Sequence, residues 1–332
     1  MFMNKLTDHF AGIRCLNSGI LVFTVMLFGW MPVAVHAFDL LIGTDESGTF
    51  SHFTGRTLCR VINSEMADVN CTVMPGADEI NHLTNVQGGS LDMALTDTHL
   101  LYDAFNKTGP FEFLDINYAD LRTLAPLYDI PYSLIVRDDA AITSLNDLKG
   151  KRFNAGPAGS SQRLAVEALL KAKSWSRSDF TLFDELPPSQ SQDTMAFCHG
   201  TIQAILHTGV HPDPVLQQLF TLCNARMVSV FDDETGKMVA ENAAFWETDI
   251  AADAYPAVPE AIKSFGTRVV LVVSEDFDAA TARKIVKLIY IRQDRLKSAH
   301  PALTLFEAAD VKESAADMRL HPGADGYFST ND

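Results

Sequence analysis

The sequence predicts an α/β fold in two lobes, each a mostly parallel sheet flanked by helices, with two strands crossing between the lobes. Three observations carry this. Short apolar runs alternate with segments of helical period from residue 38 onward, the pattern of repeated βαβ units. Two longer apolar runs, residues 124–136 and 266–273, are each followed by an acidic stretch, as expected of strands that pass between lobes. Residues 132–173 then set a strand, a loop rich in glycine and serine and a helix in succession. The N–H groups of such a helix N-terminus point outward with the positive end of the helix dipole, a seat for an anionic group.

Taken in order, residues 38–43 read as a short strand ending in glycine, and residues 44–50 as a polar loop. Residues 54–65 have helical spacing, with Leu58, Val61 and Ile62 on one face. Residues 70–74 alternate as a strand, residues 75–79 make a turn, and residues 79–86 read as a helix ended by Gly88 and Gly89. Residues 91–95 form a strand that ends at Thr96-Asp97-Thr98. The polar connections thus fall at the carboxyl ends of strands, where open α/β sheets bind ligands. A second cycle begins near Leu124. The strand at 152–155 runs into Gly156-Pro157-Ala158-Gly159-Ser160-Ser161 and a helix, and an apolar strand at 202–206 leads to His207-Thr208-Gly209. Residues 278–296 read as one amphipathic helix with Ala282, Ile285, Leu288 and Ile289 inward, and residues 318–328 as a loop packed on the first lobe. The lobes are assigned as 38–130 with 275–332, and 131–274.

The first 37 residues have the anatomy of a secretory signal. Lys5 and Arg14 supply positive charge, residues 20–31 an apolar core of about a dozen residues, and Val35-His36-Ala37 small residues for cleavage after Ala37. The apolar run is short for a membrane span of about 20 residues. No cysteine follows the cut, which argues against a lipid anchor. The whole chain carries a formal charge of −16; the leader holds Lys5, Arg14 and Asp8, a net +1, so the mature chain carries −17. So acidic a surface argues against nucleic acid or anionic lipid as partner. Of five cysteines, Cys15 lies in the leader and Cys59, Cys71, Cys198 and Cys223 remain. An even count in an oxidising compartment favours disulfides. Three pairings are open; the sequence-local ones, Cys59–Cys71 and Cys198–Cys223, are favoured, each adding about 3 kcal/mol in the chain-entropy treatment.

Several motifs together resemble the TAXI family, the TRAP-associated extracytoplasmic solute receptors. They are Ile42-Gly43-Thr44; Cys59-Arg60-Val61-Ile62-Asn63 with Cys71; Gly89-Ser90-Leu91-Asp92; residues 144–152; Gly159-Ser160-Ser161-Gln162-Arg163; His211-Pro212; and Leu320-His321-Pro322-Gly323-Ala324. The resemblance covers nearly the whole mature chain. It implies a two-lobed, type II periplasmic binding protein fold that closes on a small solute, an amino acid or other carboxylate-bearing metabolite. It also implies a partner, the membrane permease subunit of a TRAP transporter driven by an ion gradient, and a monomeric protein in the periplasm. The alternatives are a ligand-presenting module for a membrane receptor or the binding protein of an ATP-driven importer.

The candidate ligand residues follow from the loops. In the first loop they are Thr44, Asp45, Glu46, Ser47, Gly48, Thr49 and Phe50; in the second, Ala77 and Glu79; at strand ends, Thr96, Asp97, Tyr128 and Thr208; in the second lobe, Ala158, Gly159, Ser160 and Ser161. The family's first loop carries two adjacent tyrosines, where this chain has Phe50 and Ser51 and adds Asp45 and Glu46. Acidic loops facing a cleft would repel a dicarboxylate and suit a cationic end; the plainer reading is that Asp45, Glu46 and Asp78 face solvent. Ser160 or Ser161 would cap its helix, cradle an anion, or both. Asp97 would hold an amine or cap the next helix, and Phe50 and Tyr128 would wall a pocket or pack in a core. No nucleophile elbow, Walker loop, dinucleotide fingerprint or zinc-protease motif is present, and the histidines lack metal-ligand spacing. The sequence therefore points to no enzyme, no cofactor and no metal.

Overall fold

A strand of 17 residues and one of 13 residues lie side by side at the centre of the sheet. The computed structural model describes residues 37–76, 78–187, 192–313 and 318–330. The leader, except Ala37, and the candidate residue Ala77 lie outside the described residues. The strands are β1 (Phe38–Thr44), β2 (Val69–Pro75), β3 (Met93–Asp97), β4 (Leu121–Arg137), β5 (Arg152–Asn154), β6 (Leu182–Asp184), β7 (Ala204–Thr208), β8 (Ala225–Val228), β9 (Trp246–Ile250) and β10 (Ile262–Ser274). The helices are α1 (Phe50–Glu65), α2 (Glu79–Gln87), α3 (Thr98–Asn106), α4 (Ser161–Lys173), α5 (Gln192–Cys198), α6 (Pro214–Leu222), α7 (Asp233–Glu241), α8 (Ala279–Ile291), α9 (Gln293–Ala299), α10 (Ala308–Glu313) and α11 (Pro322–Phe328). Among the described residues no helix is long and apolar enough to cross a membrane.

The sheet order is β2-β1-β3-β10-β4-β7-β5-β6, with β8 also on β4 and β9 also on β10. β1 is parallel to β2 and β3, and β5 is parallel to β6 and β7. The centre departs from the parallel expectation. β10 runs antiparallel to both β3 and β4, and β4 antiparallel to β7 and β8. The reason is topological: β4 carries the chain from the first half of the sheet to the second and β10 brings it back, so the two must run in opposite directions.

Side-chain alternation along these strands builds separate cores on the two faces. In β10, Val269, Leu271 and Val273 join a core with β1, α1 and α8, while Val270 and Val272 join one beneath α2 and α3. In β4, Leu134 and Val136 pack in a core with α4 and Phe153, and Ile135 in one with α6 and Tyr255. A period of two with both faces buried is what a sheet covered by helices on each side requires.

Three local readings are corrected. The first helix starts at Phe50, not residue 54, because Thr49 caps it, its hydroxyl accepting the His52 N–H at 3.2 Å. Residues 278–296 are two helices, α8 and α9, separated at Arg292 with φ −103° and ψ 18°. The C-terminal stretch is not a loop: His321 caps α11, accepting the Gly323 N–H at 3.1 Å, with Pro322 in its first turn. Gly323 lets α11 sit against α8, since a Cβ there would lie 2.3 Å from the Ala279 carbonyl oxygen. The cysteines pair as Cys59–Cys71, which ties α1 to β2, and Cys198–Cys223, which ties α5 to the end of α6.

Gly266 faces Pro131 across the two central strands, and a Cβ there would stand 2.0 Å from the Ile130 carbonyl oxygen. Backbone cannot yield as a side chain can, so Gly266→Ala is expected to cost about 3 kcal/mol, measured by urea unfolding. Replacing Cys198 and Cys223 together by serine is expected to cost about 2–4 kcal/mol in the same assay and to raise the m-value, because the unfolded chain loses its cross-link and exposes more surface.

Candidate functional site

The carboxyl ends of β1 and β3 and the first turns of α2 and α3 converge on one side of the central strands. The N-terminus of α4 and the end of β7 approach from the other. Between them lies a cavity of about 330 Å³. Asp45, Glu79, Thr96, Asp97, Tyr128, Gly159, Ser161 and Thr208, all predicted from sequence, line it. Sequence reasoning did not select Ser51, Asp78, His99, Tyr132, Thr267 and Leu164 for the site, yet they also line it. Tyr132 and Thr267 lie inside apolar strand runs, where no local signal separates a wall residue from a core residue.

The other predicted residues are placed elsewhere. Glu46, Ser47 and Gly48 are exposed and outside the lining. Thr44 is fully buried, its hydroxyl bonded to the Asp45 carbonyl at 3.2 Å and adjacent to His52 Nδ1 at 3.2 Å. Thr49 serves as the α1 cap. Phe50 packs edge-on against Tyr128 at 4.9 Å between ring centres and against His300 at 4.7 Å. Ala158 is exposed. Ser160 caps α4, accepting the Arg163 N–H at 3.1 Å, which leaves the first-turn N–H groups at Ser161 beside the cavity.

Asp45, Glu79 and Asp97, with the capping residue Asp78, bring carboxylates to the β1 and β3 side of the cavity. Asp97 is both the α3 cap and a cavity residue: one oxygen accepts the His99 N–H at 2.7 Å and the other the Thr267 hydroxyl. The next residue, Thr98, donates to the Ala244 carbonyl at 2.9 Å and accepts the Arg268 N–H at 3.1 Å, fixing this junction to β10 and to the segment before β9. The Asp45 and Glu79 carboxyls lie close enough to shift one another's titration, so both cannot carry full charge there without a counter-charge or a proton. Asp78 is exposed and caps α2, accepting from Ile80 at 3.0 Å and Asn81 at 3.3 Å.

The electrostatics follow from this crowding. Burial pushes the Glu79 carboxyl well above its usual range, and the neighbouring Asp45 and Asp97 charges push the same way. Burial also raises Asp45 and Asp97, against hydrogen bonds from Ser51 and Thr267 respectively. Among the described residues that line the cavity none is Lys or Arg, and His99 is the histidine among them. The hydroxyl of Thr96, a residue only 2% exposed, has no hydrogen-bond partner among the described residues. A second cavity, of about 580 Å³, shares Gly159, Ser161 and Thr208 with the first and continues toward Asp193, His207 and Asp213. Burial lowers the His207 imidazole, which stands 3.5 Å from Asp213. Among the described residues no cluster of histidine, cysteine and carboxylate side chains is arranged to hold a metal ion.

This architecture, a helix-flanked sheet with two strands crossing between two lobes and a cavity beside the crossing, is the type II periplasmic binding protein fold. Residues 42–330 match the NMT1-like family, and the chain belongs to it. Among solved structures, it is similar to a TctC solute-binding protein from Polaromonas, at 18% identity and a TM-score of 0.58, over 89% of this chain and 98% of that one. A Xanthomonas citri protein solved with bound ATP is 15% identical with a TM-score of 0.52, over 89% and 100% of the two chains. A probable amino-acid transporter extracellular-binding protein from Bacillus subtilis is 12% identical with a TM-score of 0.50, over 81% and 98%. At such identities the likeness is one of fold.

The raised carboxyls make a signed prediction. A group whose native pKa lies above its unfolded value stabilises the fold below the unfolded pKa, 4.5 for Glu79, and loses that contribution as pH rises through the native value. The ligand-free protein should therefore lose stability from pH 5 to pH 7.5 through this site. Glu79→Gln, which cannot ionise, should flatten that slope and be more stable at pH 7.5 by about 1 kcal/mol, as is usual when a functional-site conflict is removed. Thermal unfolding at the two pH values reads both effects.

Proposed function

We propose that the protein is an extracytoplasmic receptor that captures a small polar solute by lobe closure and delivers it, unchanged, to a membrane permease. The observation that carries this is the cavity itself, walled by both halves of the sheet: Asp45, Glu79 and Asp97 on one side, and Gly159, Ser161 and Thr208 on the other. A solute touching both walls binds the closed arrangement better than the open one, which is the thermodynamic requirement for ligand-driven closure. The lobes in this reading are residues 38–130 with 275–332, and 131–274. The N-terminus of α4, at Gly159 and Ser161, takes the solute's carboxylate or other polar end.

Within the NMT1-like family, the motifs at residues 144–152 and 159–163 support a TAXI-type receptor paired with a TRAP permease. The two disulfides suit export to the periplasm after removal of residues 1–37. The protein is read as a monomer that performs no chemistry on its ligand.

A thermal-shift screen over amino acids, polyamines, keto acids and dicarboxylates tests this reading. A true ligand at 100 times its Kd should stabilise the protein by about 2.7 kcal/mol and reduce the radius of gyration in solution scattering. A folded protein stabilised by none of these classes would overturn the reading.

A further inference from the structure

Resting on the receptor reading above, we propose that the solute carries a primary ammonium, held on the first-lobe wall among Asp45, Glu79 and Asp97. Three features of the cavity lead there. The three carboxylates face a common space to which no Lys or Arg among the described lining residues contributes charge. Thr96, 2% exposed, lines the same space, and its hydroxyl has no partner among the described residues, so an acceptor stands buried and unused beside the carboxylates. Tyr128 and Tyr132 line it as well, and aromatic rings favour cations. An ammonium offers three N–H donors and no acceptor, which matches a set of carboxylates and a hydroxyl.

Capping alone does not explain the arrangement. Asp97 is the cap of α3 and Asp78 that of α2, but neither Asp45 nor Glu79 caps a helix. Asp45 and Glu79 instead line the cavity beside each other, where two carboxylates need a proton or a cation between them, and Asp97 adds repulsion. A cation bridging the pair satisfies both without the proton. A bound anion would do the reverse and draw protons in.

The titratable groups around this position are Asp45 on the β1–α1 connection, Asp78, Glu79 and His82 on α2, Asp97 and His99 at the β3–α3 junction, and Tyr128 and Tyr132 on β4. β10 contributes Thr267 and Val269, and α4 contributes Ser161 and Leu164, so neither adds a titrating side chain to the lining. A proton held on Asp45 or Glu79, whose carboxyls are both raised, is the one an ammonium at this position would displace.

The test is calorimetric titration of the mature protein with solutes matched in carbon number: 1,4-diaminobutane against succinate, L-alanine against pyruvate, and L-glutamate against 2-oxoglutarate. It is run beside the screen of the preceding section, whose strongest ligand is added as a further probe. The expected result is that the nitrogen-bearing member of a pair, or a screened ligand with a primary amine, binds at least tenfold tighter than nitrogen-free solutes. Asp45→Asn and Glu79→Gln should each raise its Kd at least tenfold, and titrations in buffers of different ionisation enthalpy should show proton release. Binding by 1,4-diaminobutane identifies a ligand recognised by amines alone; binding by the amino acids alone adds the α4 terminus as the carboxylate's partner. A nitrogen-free solute binding as tightly, proton uptake on binding, or unchanged Kd in both variants overturns the ammonium assignment and leaves the receptor reading standing. Absence of binding by every probe and every screened solute overturns both.

Discussion

Two strands that cross the molecule in opposite directions hold the rest of this fold in place. β4 and β10 pair from Gly266 opposite Pro131 to Ser274 opposite Leu121. Each has residues in cores on both halves of the sheet: Tyr128 and Leu134 in β4, Leu271 and Phe265 in β10. Where they run closest, the absence of a side chain at Gly266 permits the approach. Just beyond, Arg268 pairs with its cross-strand neighbour Asp129 at 2.7 Å and lies over the rings of Trp246 and Phe306, at 4.3 and 3.7 Å. A buried guanidinium with a carboxylate and two rings around it is desolvated and compensated at once. The pairing therefore sets both the register of the two halves and the place where their loops face each other.

The cleft beside this crossing is chemically one-sided. The ends of β1 and β3 and the start of α2 bring carboxylates together, whereas α4 brings backbone N–H groups and hydroxyls. The positive ends of α2 and α3 offset part of the negative charge, as helix N-termini do, but Asp45 lies on neither helix. Crowded carboxyls of this kind weaken the empty protein at neutral pH, and such conflicts concentrate where a ligand supplies the missing counter-charge.

Much of this was visible in the residues. The alternation of apolar runs with helical segments, the two long crossing runs and the loops at strand ends all arise from local periodicity, which a single chain carries in full. So do the capping positions Asp97 and Ser160, which their place before a helical run offered beside a ligand role; the Asp78 cap was not read. Less visible were the helix start at Phe50, where the polar residues 44–49 let the first turn read as loop, and the break at Arg292, which no glycine or proline marks. The antiparallel centre was missed because strand direction is set by how the chain returns, not by the composition of the strand.

The site divides in the same way. Asp45, Glu79, Asp97, Gly159 and Ser161 were identifiable because each stands where a strand meets a helix, and that position is encoded within a few residues. That Asp45 and not Glu46 lines the cavity was decided by how the β1–α1 connection packs against α2, and that Tyr132 and Thr267 complete the wall by packing between strands more than a hundred residues apart. Neighbouring loop residues differ only in which way the backbone turns them, and that turn is imposed by the strands and helices on either side. Local pattern accordingly specified the elements and their junctions, while the contacts across the crossing strands specified which side chains share one cavity.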